Sequence, residues 1–171
     1  MTASGTAKAG AAALVILQLL LLAALVLAPF GGWWPRNPGV LAIALLLTVV
    51  GLVIAAWGIL GLGPALTASP IPKEHTTLVT GGLYGIVRNP IYSGLMIIGF
   101  GLLVFGASWW HLATWAALIV LLAVKARWEE RMLEAAHPDF AVYAARVGRF
   151  LPGIGLRHSS ASQGKSQGKS Q

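Results

Sequence analysis

Residues 81–94, GGLYGIVRNPIYSG, set an Arg, an Asn, a Pro and two Tyr within nine positions at the threshold of a long apolar run. A second polar stretch, KARWEERMLEAAHPDFAVYAARVGRFLP (125–152), continues directly from another apolar run and carries Lys125 and the adjacent carboxylates Glu129 and Glu130. Cationic side chains can aim an anion, and two neighbouring carboxylates in a chain with five acidic residues suit a cationic ligand. Gly81, Gly82 and Gly85 allow close backbone approach. Pro90 biases Asn89 away from helix and fits a first helical turn, which puts Asn89 at the N-cap. On a continuing helix, Lys125 and Glu129 share a face, as do Glu130 with Glu134 and Arg127 with Arg131. The plainer reading of the same residues is a boundary Arg, an ordinary Asn–Pro helix start, an interfacial Tyr belt and a salt-bridged helix end.

These groups need elements to hold them, and the elements are apolar. The 171 residues are 57% hydrophobic and 10% charged, with a mean hydropathy of +0.76, where soluble domains carry about 25% charged residues. About 20 apolar residues cross the hydrocarbon as a helix. Four segments qualify or nearly do: 11–28, closed by Pro29 and interrupted by Gln18 alone; 40–60; 91–107; and 109–124. The last two are short and adjoin, which predicts a tight hairpin around Ala107 and Ser108. A secretory signal is the competing reading of the first span, but its apolar run is long for one and only Lys8 precedes it. The fold class expected is therefore an all-α integral membrane protein with about four transmembrane helices, the last two a hairpin, and a cytoplasmic helical C-terminal segment. The expected divisions are an N-terminal cytoplasmic arm (1–10), a single membrane domain (11–157) and a flexible Gly/Ser-rich tail (158–171).

With four spans, one side holds Lys8, Lys73, Arg88 and eight further Lys and Arg, while the other holds only Arg36. The excess of positive charge on cytoplasmic flanks places both termini in the cytoplasm, in the plasma or inner membrane if the source is bacterial. Trp33–Trp34 and Trp109–Trp110 then fall at the outer boundary, where aromatic rings favour the headgroups. The net charge of +7 lies around apolar spans, not along a polar face, which argues for anionic lipid as partner and against nucleic acid. No cysteine is present, so disulfides, thiolate metal sites and a cysteine nucleophile are excluded. The four histidines are unpaired in sequence, and none suggests a metal or haem site.

TTLVTGGLYGIVRNPIYSG, a helical hairpin, EE and YAARVGRFLP, in that order over about residues 73–153, resemble the isoprenylcysteine carboxyl methyltransferase family. That family belongs to a wider group with the membrane phospholipid N-methyltransferases. The resemblance implies S-adenosyl-L-methionine as methyl donor and S-adenosyl-L-homocysteine as product. Donor contacts carry over to Thr76, Thr77, Leu78, Val79, Tyr84, Asn89, Pro90, Ile91, Tyr92 and the Glu129–Glu130 pair. The acceptor-orienting cation falls on Lys125, with Arg88 as a second. This chain departs from the family pattern at two positions. The usual His is Asn89, which keeps hydrogen bonding and loses a titratable ring. The more usual Arg is Lys125, which cannot grip a carboxylate with two parallel bonds.

Methyl transfer from a sulfonium is an in-line displacement that needs alignment and dryness more than acid–base chemistry. Glu129 can pair with the donor's amine, Tyr rings can lie against the sulfonium, and backbone N–H groups of 76–85 can bind its polar rims. No evident base is available to deprotonate an amine. A lipophilic carboxylate such as a prenylcysteine-type C-terminus is therefore the favoured acceptor, with a phospholipid amine or a small thiol as alternatives. A non-enzymatic four-span scaffold is the rival class. A transporter is disfavoured, because ionisable residues of a transport path belong within the spans.

Overall fold

The computed structural model describes residues 5–63 and 78–157, and the described elements are helical. They are α1 (Gly5–Leu27), α2 (Pro38–Leu62), a 3-10 turn (Gly82–Gly85), α3 (Pro90–Gly106), α4 (Trp109–Ala136) and α5 (Phe140–Arg146). Three helices are long and apolar enough to cross a membrane, and the 17-residue α3 is a shorter apolar one. Leu and Ile side chains of α1 and α2 remain exposed along both helices: Leu19, Leu20, Leu45 and Leu46 are each about 60% accessible. Water-soluble monomers do not leave apolar faces of that extent uncovered; lipid covers them. The all-α membrane architecture expected from composition is the one observed.

Each helix starts and stops for a local reason. Asn37 caps α2, its Oδ1 accepting from the Val40 amide at 2.9 Å, with Pro38 in the first turn. Ser108 caps α4 by accepting from the His111 amide. Between α3 and α4 the chain reverses at Ala107, whose left-handed backbone (φ 48°) closes the hairpin. The Trp33 and Gly31 amides donate to the Ala107 and Gly106 carbonyls, so the α1–α2 connection lies against this hairpin tip. Trp33 packs edge-on against both Trp34 and Trp109 there. His111 is a packing residue at the same end, buried, bonded to Ser108 Oγ and stacked on Phe30.

Two departures from the apolar runs are informative. α1 begins at Gly5, six residues before the run at 11, so part of the expected N-terminal arm is helical. α4 continues to Ala136 without a break, about three turns past the apolar stretch, because nothing between Lys125 and Ala136 stops a helix. The tail at 158–171 lies outside the described residues.

α2 and α3 approach most closely, along a seam of small residues: Ala44, Thr48, Gly51, Ala55 and Gly58 face Pro90, Ile91, Gly94, Ile98 and Gly101. Small residues let helix backbones meet where lipid supplies no hydrophobic drive for association. A Cβ on Gly94 would stand 2.6 Å from the Gly51 carbonyl, and one on Gly51 would stand 2.7 Å from that of Gly94. On the other side, Leu25 of α1, Tyr92 of α3, and Leu118, Leu122 and Ala126 of α4 form the buried core. Gly94→Val should lower the unfolding midpoint in detergent by an amount corresponding to about 1–3 kcal/mol of overpacking. Gly32→Ala, with nothing within 4 Å of the new methyl, should leave the midpoint unchanged.

Candidate functional site

The two polar stretches come together at the end of the bundle opposite Trp33, Trp34 and Trp109. After α5 the chain runs back beneath the start of α3. The Arg88 and Asn89 amides donate to the Gly148 and Arg149 carbonyls at 2.8 and 3.0 Å. Gly148 is required there, since a Cβ would collide with the Leu151 carbonyl. Gly155, in left-handed backbone (φ 78°), shapes the next bend.

Arg88 lies at the centre of this crossing and is 6% exposed. Its Nε donates to Glu130 Oε1 at 3.1 Å, its Nη1 to the Ala144 and Val147 carbonyls at 2.7 and 2.6 Å, and its Nη2 to the Gly155 carbonyl at 2.9 Å. Glu130, 3% exposed, also accepts from Arg149, Nε on Oε1 at 3.0 Å and Nη2 on Oε2 at 2.7 Å, and from Asn89 Nδ2 at 3.2 Å. One carboxylate on α4 thus joins two guanidinium groups, tying three chain segments together. Neither Arg88 nor Glu130 is placed with a group turned outward toward a ligand, and both would have to break buried bonds to meet one.

Asn89 occupies the N-cap position of α3, but its side chain makes no capping bond. The side-chain amide instead reaches Glu130, and the Asn89 backbone carbonyl accepts from Ser93 Oγ at 3.1 Å. Pro90 and Ile91 face Gly58 of α2. Tyr84, in the 3-10 turn, donates its hydroxyl to the Gly58 carbonyl at 3.2 Å, and Tyr143 of α5 donates to the Tyr84 carbonyl at 2.6 Å. Burial, with the neighbouring phenol and Glu129 adding, raises the Tyr84 pKa well above the ordinary phenol value. Burial likewise pushes Tyr143 up to about 12, Glu130 adding and Arg88 opposing. Both rings therefore act as hydrogen-bond donors and not as bases.

Glu129, one residue before Glu130, faces elsewhere because successive helical residues point about 100° apart. Its Oε1 accepts from Tyr92 Oη at 2.6 Å. Lys125, 6% exposed, donates from Nζ to Gln18 Oε1 of α1 at 3.0 Å and lies 5.1 Å from the centroid of the Tyr92 ring. Tyr92, Lys125 and Glu129 therefore form a second cluster, beside the Arg88–Glu130–Arg149 knot. Leu78 and Val79 are half-buried and lead into the 3-10 turn. Thr76 and Thr77 lie outside the described residues.

Three members were not singled out from sequence. Arg149 bonds a residue 19 positions away, and Tyr143 a residue 59 away; neither separation leaves a local pattern. Gln18 did leave a signal, as the one polar side chain in its span. Among the described residues, no three or more His, Asp and Glu side chains gather to hold a metal.

The fold and this face define a multi-pass integral membrane protein with a polar site where its helices leave the bilayer. Residues 40–139 match the phospholipid methyltransferase family, and the chain belongs to it. Its members are membrane methyltransferases that use S-adenosylmethionine. The chain is also similar to the cobalt-zinc-cadmium resistance protein CzcN of Cupriavidus metallidurans, 36% identical over 88 residues. That stretch is 49% of this chain and 39% of the relative's length.

The knot and the second cluster should separate on mutation. Glu130→Ala, which strands a buried guanidinium, should cost about 3–5 kcal/mol of stability. Glu129→Gln, which keeps an acceptor for Tyr92, should cost less than about 1 kcal/mol. Thermal unfolding of both variants in one detergent measures the contrast.

Proposed function

We propose that the protein is a membrane S-adenosylmethionine-dependent methyltransferase that alkylates a lipophilic acceptor reaching the site from the bilayer. The observation that carries this reading is the division of labour between adjacent carboxylates. Glu130 is spent on holding the fold, whereas Glu129 has one oxygen on Tyr92 and, among the described residues, no partner for the other. A half-satisfied carboxylate beside an aromatic ring fits the amine and sulfonium of the donor. The donor supplies an activated methyl: the acceptor's lone pair bonds the carbon as the carbon–sulfur bond breaks and its electron pair stays on sulfur as S-adenosylhomocysteine.

The chain's own residues supply placement. Glu129 and Tyr92 hold the donor, with Leu78, Val79 and the backbone near the 3-10 turn along its edge. Lys125, across the Tyr92 ring, faces the acceptor and favours an anionic one. A carboxylate arrives ionised, while an amine needs a base that Tyr84 and Tyr143 do not offer. A lipophilic carboxylate of the prenylcysteine type is therefore the acceptor we favour over a phospholipid amine or a small thiol. Arg88 takes a positioning role: it fixes the entrance to α3 and hence the angle at which Tyr92 meets Glu129. Calorimetry with S-adenosylhomocysteine in detergent tests the donor site. Micromolar binding by the parent, weakened at least about tenfold in Glu129→Gln at an unchanged melting temperature, is the expected result. An identical titration for the variant, or none for a folded parent, overturns the assignment.

The polar face is placed in the cytoplasm, on the strength of the basic residues that surround it. Because the chain has no cysteine, single introduced thiols report sidedness directly. Arg36→Cys should react with a membrane-impermeant maleimide on intact cells, and Arg131→Cys only after permeabilisation. The reverse pattern would invert the topology.

A further inference from the structure

α1 precedes the family-matched residues 40–139, yet it supplies the side chain on which Lys125 rests. Gln18 stands alone among apolar residues over 11–28. A primary amide in such a span is retained against a cost unless it makes a bond, and the bond it makes is with the Lys125 ammonium. Lys125 and Glu129 are four residues apart on one helix, the spacing at which opposite charges pair. In apolar surroundings their attraction is several-fold stronger than at a wet surface. They form no ion pair in the structure; among the described residues the pairs are Arg88–Glu130, Arg149–Glu130 and Arg157–Glu134. Instead the ammonium goes to the Gln18 carbonyl oxygen and the Tyr92 ring face, while the Tyr92 hydroxyl goes to Glu129. A neutral amide solvates the ammonium without neutralising it, and Tyr92 bridges the two charges through opposite parts of one side chain.

We infer that Gln18 is a positioning residue that holds Lys125 off Glu129, keeping the carboxylate open to a cationic ligand and the ammonium open to an anionic one. The inference rests on the reading of Glu129 as the donor's carboxylate partner. Remove the amide, and Glu129 becomes the strongest polar partner left to Lys125; the ion pair that forms closes both ligand positions together.

The test is a double-mutant comparison on the full chain in detergent, with S-adenosylhomocysteine as the calorimetric probe. Gln18→Leu should weaken binding about tenfold or more, and adding Lys125→Met should restore it to within about threefold of the parent, because no ammonium remains to close the carboxylate. Gln18→Glu, which keeps an acceptor on Lys125, should bind as the parent does. Unchanged binding in Gln18→Leu, or a loss that Lys125→Met does not rescue, overturns the inference; the second result would make Gln18 a packing residue only. A ligand-free readout separates this failure from that of the methyltransferase reading. In protein labelled with carbon-13 at the lysine ε-position, the Lys125 resonance (assigned by its loss in Lys125→Met) should respond to Glu129→Gln far more strongly in the Gln18→Leu background than in the parent. Equal responses in both backgrounds overturn the positioning role whether or not the probe binds.

Discussion

A carboxylate shared between two guanidinium groups is the constraint on which the polar end of this molecule depends. Glu130 binds Arg88 from the segment before α3 and Arg149 from the segment after α5. A buried charge pair is weak evidence for stability when swapped for well-packed apolar groups, but its orientation is hard to change once built, because any stranded member costs several kcal/mol. Arg88 adds three backbone carbonyls to the same knot. A lysine could supply the charge but not the planar fork of donors that reaches a carboxylate and carbonyls on several sides. The start of α3, the docking of α5 and the return of the chain under Arg88 all follow from satisfying one guanidinium away from water.

Much of the scaffold was legible because lipid imposes a simple rule on sequence. Long uncharged runs became α1, α2 and α4, and the adjacency of two short ones became a reversal at Ala107. The helix ends were less legible. α4 carries on through Lys125, Glu129 and Glu130 since helix propensity does not stop where hydropathy does. The site was legible in its residue types and not in its wiring. Asn89–Pro90 marked the beginning of α3, but the Asn89 side chain serves Glu130, a partner 41 positions away, in place of the helix N-terminus. Glu129 and Glu130 read as one pair in sequence, yet the helical rotation between neighbours assigns them to different partners. The Lys125–Gln18 bond spans 107 residues, and no local pattern encodes it.

What the arrangement achieves is charge held apart at the edge of a low-dielectric slab. Opposite charges in such a place normally collapse on each other or are neutralised, the cation losing a proton and the carboxylate gaining one. Here Tyr92 contributes its ring face to the cation and its hydroxyl to the anion, and Gln18 contributes a dipole from a separate helix. The neighbouring knot pairs Arg88 and Arg149 with the buried Glu130. Among the described residues, no buried side-chain nitrogen or oxygen is left without a partner. Both clusters are therefore held by hydrogen bonds within the chain, which suits the displacement proposed above.

The 17 residues of α3 rise only about 25 Å, against roughly 30 Å of hydrocarbon. α3 and α4 leave the same tight turn, yet α4 has 28 residues and outruns the bilayer. At the polar end the segment after α5 makes up the difference, its carbonyls accepting from the Arg88 and Asn89 amides beneath the start of α3. Lipid beside α3 must thin or tilt to match it, at a fraction of a kcal/mol per ångström of mismatch. Under the methyltransferase reading proposed above, bilayer thickness would set how far a lipophilic acceptor must bend before its head reaches Lys125 and Tyr92.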